Sequence, residues 1–543
     1  MKKIVFGLFI MSFLTSCEMK QKADFLIINA KGYTVDKEFS TCSAIAVKDG
    51  KILEVGEDNY IIANYRASEV LDLEGAPLYP GFNDAHCHLS MLGVALSRVD
   101  LKEASSFEEI LERLKERYDH SKPSFLAGDG WDQTLWGSDE FPSNGKLNEL
   151  FPDIPVVLFR IDYHAVIVND VAIKLLGITP GDSSIPEGEA IMEGNKFKGV
   201  FLENTAERFE SVLPEPTEQE MADMILIAQE ECFKNGLTSV TNAGGSLSLI
   251  KVVEKLNNNG DLKIRTNLAL TPSQENLERF TEPYNNGRIK ISSIKLFADG
   301  ALGSRGALML EPYSDKSTTK GISVIAQEEF DRLCKWAYNH NFQVSMHCIG
   351  DAANRQALNT YAKFLEPGND RRWRIEHAQI IAPEDVPLFG KYSIVPSIQP
   401  THATSDMLWA DERVGERLKS AYIYKELLDQ VGWLPSGTDF PVEAVNPMYT
   451  FHSAVYRKNL DFVPSEGFQM ENALTKEETL RSMTIWAAKA SFEENLKGSL
   501  EPGKFADFVV LDKDIMTAPG KEIPDIKVTM TFVNGQKVYS LLP

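Results

Sequence analysis

The chain has 543 residues, 43% hydrophobic and 25% charged, with 56 Lys and Arg against 78 Asp and Glu for a formal net charge of −22. That length and apolar content exclude global disorder and a fibrous repeat, and they allow two or three packed domains. The acidic excess repels phosphate backbones, and with no local basic patch it argues against nucleic acid as a partner.

In chain order, Lys2 and Lys3 precede an apolar run from Ile4 to Leu14, which closes on Leu14-Thr15-Ser16-Cys17. The run is too short to span a bilayer, and its basic start predicts a secretory signal. Leu-Thr-Ser-Cys resembles a bacterial lipobox. On that resemblance residues 1–16 are removed, Cys17 is the lipid anchor and residues 17–22 form a spacer. The expected product is an exported bacterial lipoprotein, periplasmic or anchored to the outer membrane, that meets the membrane only through its lipid. An ordinary cleaved signal with an incidental cysteine is the simpler alternative. The other five cysteines are too sparse and irregular for a disulfide framework.

Beyond the spacer, Phe25–Ile28, Ala44–Val47 and Ile52–Val55 are predicted strands, with Asp49-Gly50 as a tight hairpin turn. The far end reads the same way: Phe508–Leu511 is a strand, and Val528–Val533 and Gln536–Tyr539 flank Asn534-Gly535. Neither terminal piece carries a core by itself. Residues 23–77 and 496–543 are therefore expected to build one composite β-sandwich domain, with 78–495 inserted into it.

That middle alternates β-type runs with amphipathic helical stretches, as parallel βα units do. Eight strands are predicted, over 78–86, 237–242, 263–270, 291–297, 342–347, 372–377, 392–398 and 431–437. Eight closes a (β/α)8 TIM-type barrel, so the fold class is α/β. Residues 89–236 far exceed one helix and its loops, and predict an insertion over one face of the barrel that forms a lid or a wall of the substrate pocket.

Only nine histidines occur in the chain. His86 and His88 are two apart in an extended run, so their side chains point to one face while Cys87 points away. His347 and His377 each end a predicted strand, and Asp439 follows the last one. In a (β/α)8 barrel all strand C-termini open on one face, so these remote residues converge there. Imidazoles and a carboxylate around a divalent ion lower the pKa of bound water to about 7 and polarise a carbonyl, which is equipment for hydrolysis. Asp439 is equally well placed as a ligand or as the general base. Cys87 and Cys348, on the opposite face of their strands, are read as small buried residues.

Several longer strings carry a resemblance: Pro80-Gly81-Phe82-Asn83-Asp84-Ala85-His86-Cys87-His88, Gly130-Trp131-Asp132-Gln133, Lys295-Leu296-Phe297-Ala298-Asp299-Gly300, Glu376-His377, Gln399-Pro400-Thr401-His402 and Gly437-Thr438-Asp439-Phe440-Pro441. Together they resemble the amidohydrolase superfamily, in its type-3, YtcJ-like branch, which includes N-substituted formamide deformylases. The resemblance implies that His86, His88 and Asp439 hold one metal and His347 and His377 a second. Lys295, carbamylated, would bridge them, with zinc the expected metal; if Lys295 is unmodified, a one-ion site with the same histidines is the alternative. Trp131, His164, Arg305 and His402 are candidate substrate contacts, although Tyr163 stands before His164 where the family usually has glycine.

The resulting expectation is a metal-dependent amidohydrolase that cleaves a carbon–nitrogen bond of a small amide-type substrate, with metal-activated hydroxide as nucleophile and Asp439 as proton shuttle. Assembly as a homodimer is compatible with this reading. Ester or lactone hydrolysis and mononuclear deamination are rivals on the same site. A non-catalytic metal- or solute-binding lipoprotein is the rival from another class.

Overall fold

The computed structural model describes residues 20–136, 140–160, 165–213 and 215–541. Cys17 and His164 lie outside the described residues. Among those described, no helix is long and apolar enough to cross a membrane.

The centre of the molecule is a parallel barrel. Its strands are β1 (Phe82–Cys87), β2 (Leu237–Gly245), β3 (Arg265–Leu270), β4 (Ile289–Phe297), β5 (Gln343–Cys348), β6 (Arg374–His377) and β7 (Val395–Ser397), each hydrogen-bonded to the next in that order. Most are buried on both faces, as strands sandwiched between a barrel core and outer helices must be, and they carry buried Thr, Ser and Asn among their apolar residues.

Two of the predicted strands differ in the structure. The run 78–86 is split at Gly81: Pro77–Pro80 belongs to a terminal sheet, and β1 begins at Phe82. A Cβ on Gly81 would stand 2.3 Å from the Thr238 hydroxyl oxygen, so only glycine lets the chain pass from one sheet to the other here. The eighth strand, 431–437, is reduced to a bridge between Ile398 and Ser436. Pro435 has no N–H to donate and Gly437 weakens extended structure, so a regular ladder does not form. The barrel is nonetheless closed by main-chain bonds on both sides of this segment. Ile398 N–H donates to Pro435 O (3.1 Å) and Gly437 N–H to Ile398 O (3.0 Å), while Ala85 N–H donates to Ser436 O (3.1 Å) and Asp439 N–H to His86 O (2.8 Å).

Both termini contribute to a pair of packed sheets. One contains Lys51–Gly56, Ala44–Lys48, Phe25–Ile28 and Glu69–Asp72; the other orders Gln536–Ser540, Val528–Val533, Phe508–Leu511, Pro77–Pro80, Lys31–Tyr33 and Thr41–Cys42. Their shared core includes Phe25, Ile45, Ile52, Leu78, Phe508 and Phe532. Asp49-Gly50 and Asn534-Gly535 both take positive φ at each position, the type I′ geometry that matches strand twist.

A buried ion pair adds to the apolar core that this sandwich shares with the barrel. Arg265 on β3 donates from Nε to Asp507 Oδ2 (2.6 Å) and from Nη2 to Asp507 Oδ1 (3.1 Å), with its guanidinium 3.5 Å over the Phe505 ring. Removing one partner leaves a buried charge unpaired, a loss of about 3–5 kcal/mol. Asp507→Ala is accordingly expected to lower the calorimetric melting temperature by several degrees; an unchanged melting point would contradict this fastening.

Residues 89–236, expected as an insertion, have a fold of their own. They contain a six-stranded sheet ordered Val99–Asp100, Leu126–Trp131, Val156–Arg160, Ala165–Val168, Lys196–Leu202 and Ala190–Glu193. Separate apolar clusters cover its two faces, one around Leu101, Ile110, Leu158 and Ile167, the other around Val157, Phe159, Val166 and Phe201. The stretch thus supplies its own core.

Candidate metal centre

At the C-terminal ends of the barrel strands, His86, His377 and Asp439 are all buried, and one donor atom from each lies within 4.8 Å of the others. His86 Nε2 is 3.4 Å from Asp439 Oδ1, and His88 Nε2 is 3.2 Å from the same oxygen. His402, in the helix Pro400–Asp406 that follows β7, brings its Nε2 to 3.7 Å from Asp439 Oδ2. The His347 and His377 rings meet edge to face at 4.5 Å, and the His377 and His402 rings stack at 5.7 Å. Lys295, only 2% exposed, places Nζ 3.5 Å from His86 Nε2. The sequence candidates His86, His88, Lys295, His347, His377, His402 and Asp439 therefore come together.

Two of them depend on unusual backbone. His377 has φ +71° and Asp439 φ +62°, in the left-handed region that non-glycine residues seldom take. Each such residue costs on the order of 1–3 kcal/mol and persists where its surroundings fix it. For Asp439 the fixing is visible. Asp84 accepts from His86 N (3.0 Å) and from the Thr438 hydroxyl (2.7 Å), and Phe440 N–H donates to that hydroxyl (3.1 Å). A Cβ on Gly437 would fall 2.4 Å from His86 N, so the closing segment can approach β1 this closely only as glycine.

The charges suit a metal. Burial holds His347 down to about 3 and His377 well below the ordinary imidazole value, so both are neutral and have a lone pair to offer. Burial alone would raise the Asp439 carboxyl, but His86 and His88 beside it hold it well below the carboxylate range, so it is an anion. Burial also lowers Lys295 to about 8. His347 Nε2, His377 Nδ1, His402 Nε2 and Asp439 Oδ1 are all buried without a hydrogen-bond partner. Buried polar atoms left without a partner are costly unless something cationic joins them, and with the His86, His377 and Asp439 donors within 4.8 Å of one another this set fits a divalent ion.

Two carboxylates outside the sequence candidates support the cluster. Glu376 Oε2 lies 2.7 Å from His86 Nδ1, its Oε1 accepts from Arg374 Nε (2.7 Å), and Arg374 Nη2 donates to Ala85 O (3.1 Å). Asp299 accepts from the N–H groups of Leu308 (2.8 Å), Ile349 (3.1 Å) and Gly350 (2.8 Å), and its Oδ1 is 3.6 Å from His347 Nε2. Burial pushes its carboxyl up to about 7. Both residues belong to strings already quoted for the resemblance, Lys295 to Gly300 and Glu376-His377, where the signal was a carboxylate at or just past the end of a buried strand.

Two candidate substrate contacts lie elsewhere. Trp131 is fully buried in the core of the inserted sheet, and its indole N–H donates to Leu158 O (2.7 Å). Packing, not a pocket, accounts for it. Arg305 is held by Asp315 through Nε (3.1 Å) and Nη2 (2.6 Å). Cys87 and Cys348 are fully buried, and burial raises both thiols far above their usual range.

The chain is similar to known proteins over nearly its whole length. A family model described as "Amidohydrolase family" matches residues 69–539. YtcJ of Bacillus subtilis (strain 168) is 30% identical over 521 residues, 93% of this chain and 98% of that protein. The N-substituted formamide deformylase of Arthrobacter pascens is 25% identical over 541 residues, 95% of this chain and 98% of its own. Among solved structures, an uncharacterized metal-dependent hydrolase from Pyrococcus horikoshii OT3 superposes with a TM-score of 0.74 at 30% identity, covering 91% of this chain and 99% of its own.

Proposed function

The chain belongs to the amidohydrolase family and so to the metal-dependent hydrolases of carbon–nitrogen bonds; within that class we propose that it hydrolyses a small non-peptide amide, with Asp439 as the proton shuttle. The observation that carries this reading is the convergence of His86, His377 and Asp439 within 4.8 Å at the open ends of the strands. His86, His88 and Asp439 would hold one zinc ion, and His347 and His377 a second. A divalent ion there supplies an acidified water and a polarised carbonyl.

The chain's own groups do the rest. Asp439, ionised and facing three imidazoles, accepts the proton released when water attacks the carbonyl and returns it to the departing nitrogen, which leaves as an amine. Glu376 holds His86 in one orientation through Nδ1. Lys295, brought down to about 8 by burial, is partly an uncharged amine near neutrality, the form that reacts with carbon dioxide. The carbamate so formed offers two anionic oxygens where an ammonium would repel metal.

Protein purified and metal-loaded with bicarbonate present is expected to contain two equivalents of zinc by elemental analysis, and to show a carbamate resonance after labelling with carbon-13 bicarbonate. Lys295→Ala should remove the resonance and lower the metal content. A single equivalent with no carbamate signal would replace the two-ion site by the one-ion alternative. Failure of the zinc-loaded protein to hydrolyse any member of an amide panel would refute the proposed activity.

A further inference from the structure

The terminal sandwich stands at the ends where the barrel strands begin. Arg265, which pairs with Asp507, opens β3, and the Thr531 hydroxyl donates to Phe233 O (2.7 Å) just ahead of β2. One face of the six-stranded sheet, with Tyr79, Val509 and Val528, joins the barrel's apolar core. The residues between them point the other way, so Leu78, Phe508 and Phe532 pack on the four-stranded sheet. The far side of that sheet is covered by a short helix, α1 (Asp58–Asn64), whose Ile61 clusters with Leu26, Ala44 and Ala46. The layers thus run barrel, six strands, four strands, α1. The candidate metal ligands lie at the opposite ends of the barrel strands.

The outermost layer keeps apolar groups in solvent. Tyr60 and Ile62 on α1 are 49% and 43% exposed. Val70, in direct register with Leu26 and so on the α1 side of its sheet, is 52% exposed. Exposed apolar residues are ordinary by themselves; these stand where the chain enters the fold. Lys20 Nζ donates to Ile62 O (2.6 Å), Gln21 and Lys22 pair in parallel with Tyr65 and Arg66, and Ala23 N–H donates to Arg66 O (2.9 Å). Only Glu18 and Met19 separate Lys20 from Cys17. Three residue steps reach at most about 11 Å, so a group attached through Cys17 is confined to this side of the molecule.

We propose that α1 and Val70 form a face that lies against a bilayer, drawn there by acyl chains on Cys17. This rests on the lipobox reading of residues 14–17 and adds to the lipid a protein surface in contact with the membrane. Tyrosine suits the headgroup level. Lys22 and Arg66 are balanced by Glu69 and Asp72 nearby in the same sheets, so apolar contact rather than attraction to anionic headgroups holds the face down. With the layers in this order the mouth of the barrel opens away from the membrane and draws its substrate from the aqueous phase.

The test uses the full-length lipidated protein in phosphatidylcholine vesicles. Cys42, Cys87, Cys232, Cys334 and Cys348 are all buried and the lipid occupies the Cys17 sulfur, so Tyr60→Cys offers one thiol to a fluorophore. With quencher-bearing lipid present, that label is expected to lose about half its fluorescence, as a side chain at the ~5–10 Å depth of the headgroup boundary does. A label at Leu408→Cys, 65% exposed in the segment that follows β7, should be unaffected. In protein labelled at Val70→Cys, adding Tyr60→Asp and Ile62→Asp should abolish quenching while the protein still floats with the vesicles. Equal quenching at positions 60 and 408, no quenching at 60 in protein that floats, or quenching at 70 that survives the two aspartates describes a loose tether and overturns the proposal. A label at 60 shielded in detergent alone, with a doubled mass, assigns the face to a second copy and also overturns it. So does a Cys17 peptide that carries no acyl group by mass spectrometry.

Discussion

Asp439→Asn is expected to lower kcat by about 10²–10⁴-fold, the usual contribution of a positioned proton-transfer group, with metal retained. The amide keeps an oxygen that can face the ion, and asparagine tolerates the left-handed backbone that Asp439 adopts at φ +62°. What it loses is basicity. In the native chain the carboxylate sits 3.2 Å from His88 and 3.4 Å from His86, which keep it charged despite its burial. A neutral amide cannot accept the proton from water or return it to the leaving nitrogen. Steady-state rates and elemental analysis on the same preparation check both halves. Wild-type turnover in this variant would remove Asp439 from the chemistry, and loss of the metal would make it chiefly a ligand.

The second large effect concerns a residue that touches no substrate. Glu376 is fully buried; burial would raise its carboxyl, but Arg374 and His86 hold it far below the usual range, so it is a carboxylate and can only accept. His86 must then donate from Nδ1, so Nε2 is the nitrogen it would offer to a bound ion. Glu376→Gln presents an amide N–H that favours the opposite tautomer. The expected result is a 10–100-fold loss of zinc affinity, the typical effect of removing such a partner, measured by competition with a chromogenic chelator. A merely structural role would lower the melting temperature and leave the affinity within about twofold. Glu376 is a positioning residue in this account, so kcat at saturating zinc should recover much of the loss.

The pattern of what the sequence revealed follows from pleat geometry. His86 and His88 were legible because they share a face at a spacing of two, and His347 because it ends an apolar run. His377 shows where that logic stops. Arg374 and Glu376 are the pair of like parity on β6, and they are the ones that reach His86 and Ala85 across the barrel. His377, of opposite parity, joins the cluster through a backbone at φ +71°, which no spacing rule anticipates. Trp131 was misleading for a different reason: its neighbours in sequence resemble a motif, while its environment is set by a sheet whose extent the sequence barely signalled. The seven regular strands were legible from apolar runs bounded by turns. The eighth, expected as a strand over 431–437, is instead two main-chain bonds to each neighbour, because Pro435 and Gly437 do not sustain a ladder.

The sandwich built from both ends of the chain has a consequence for biosynthesis. Pro77–Pro80 pairs with Phe508–Leu511, so an edge formed early waits for a partner made more than four hundred residues later. At about 5–20 residues per second that interval lasts roughly 20–80 s. Throughout it, Leu78 and the apolar face of Phe25–Ile28 lack the Phe508, Val510 and Phe532 side chains that finally cover them. The nascent chain therefore exposes an unpaired, sticky strand for most of its synthesis, and a holding chaperone that recognises residues 25–80 would be engaged until the last fifty residues emerge.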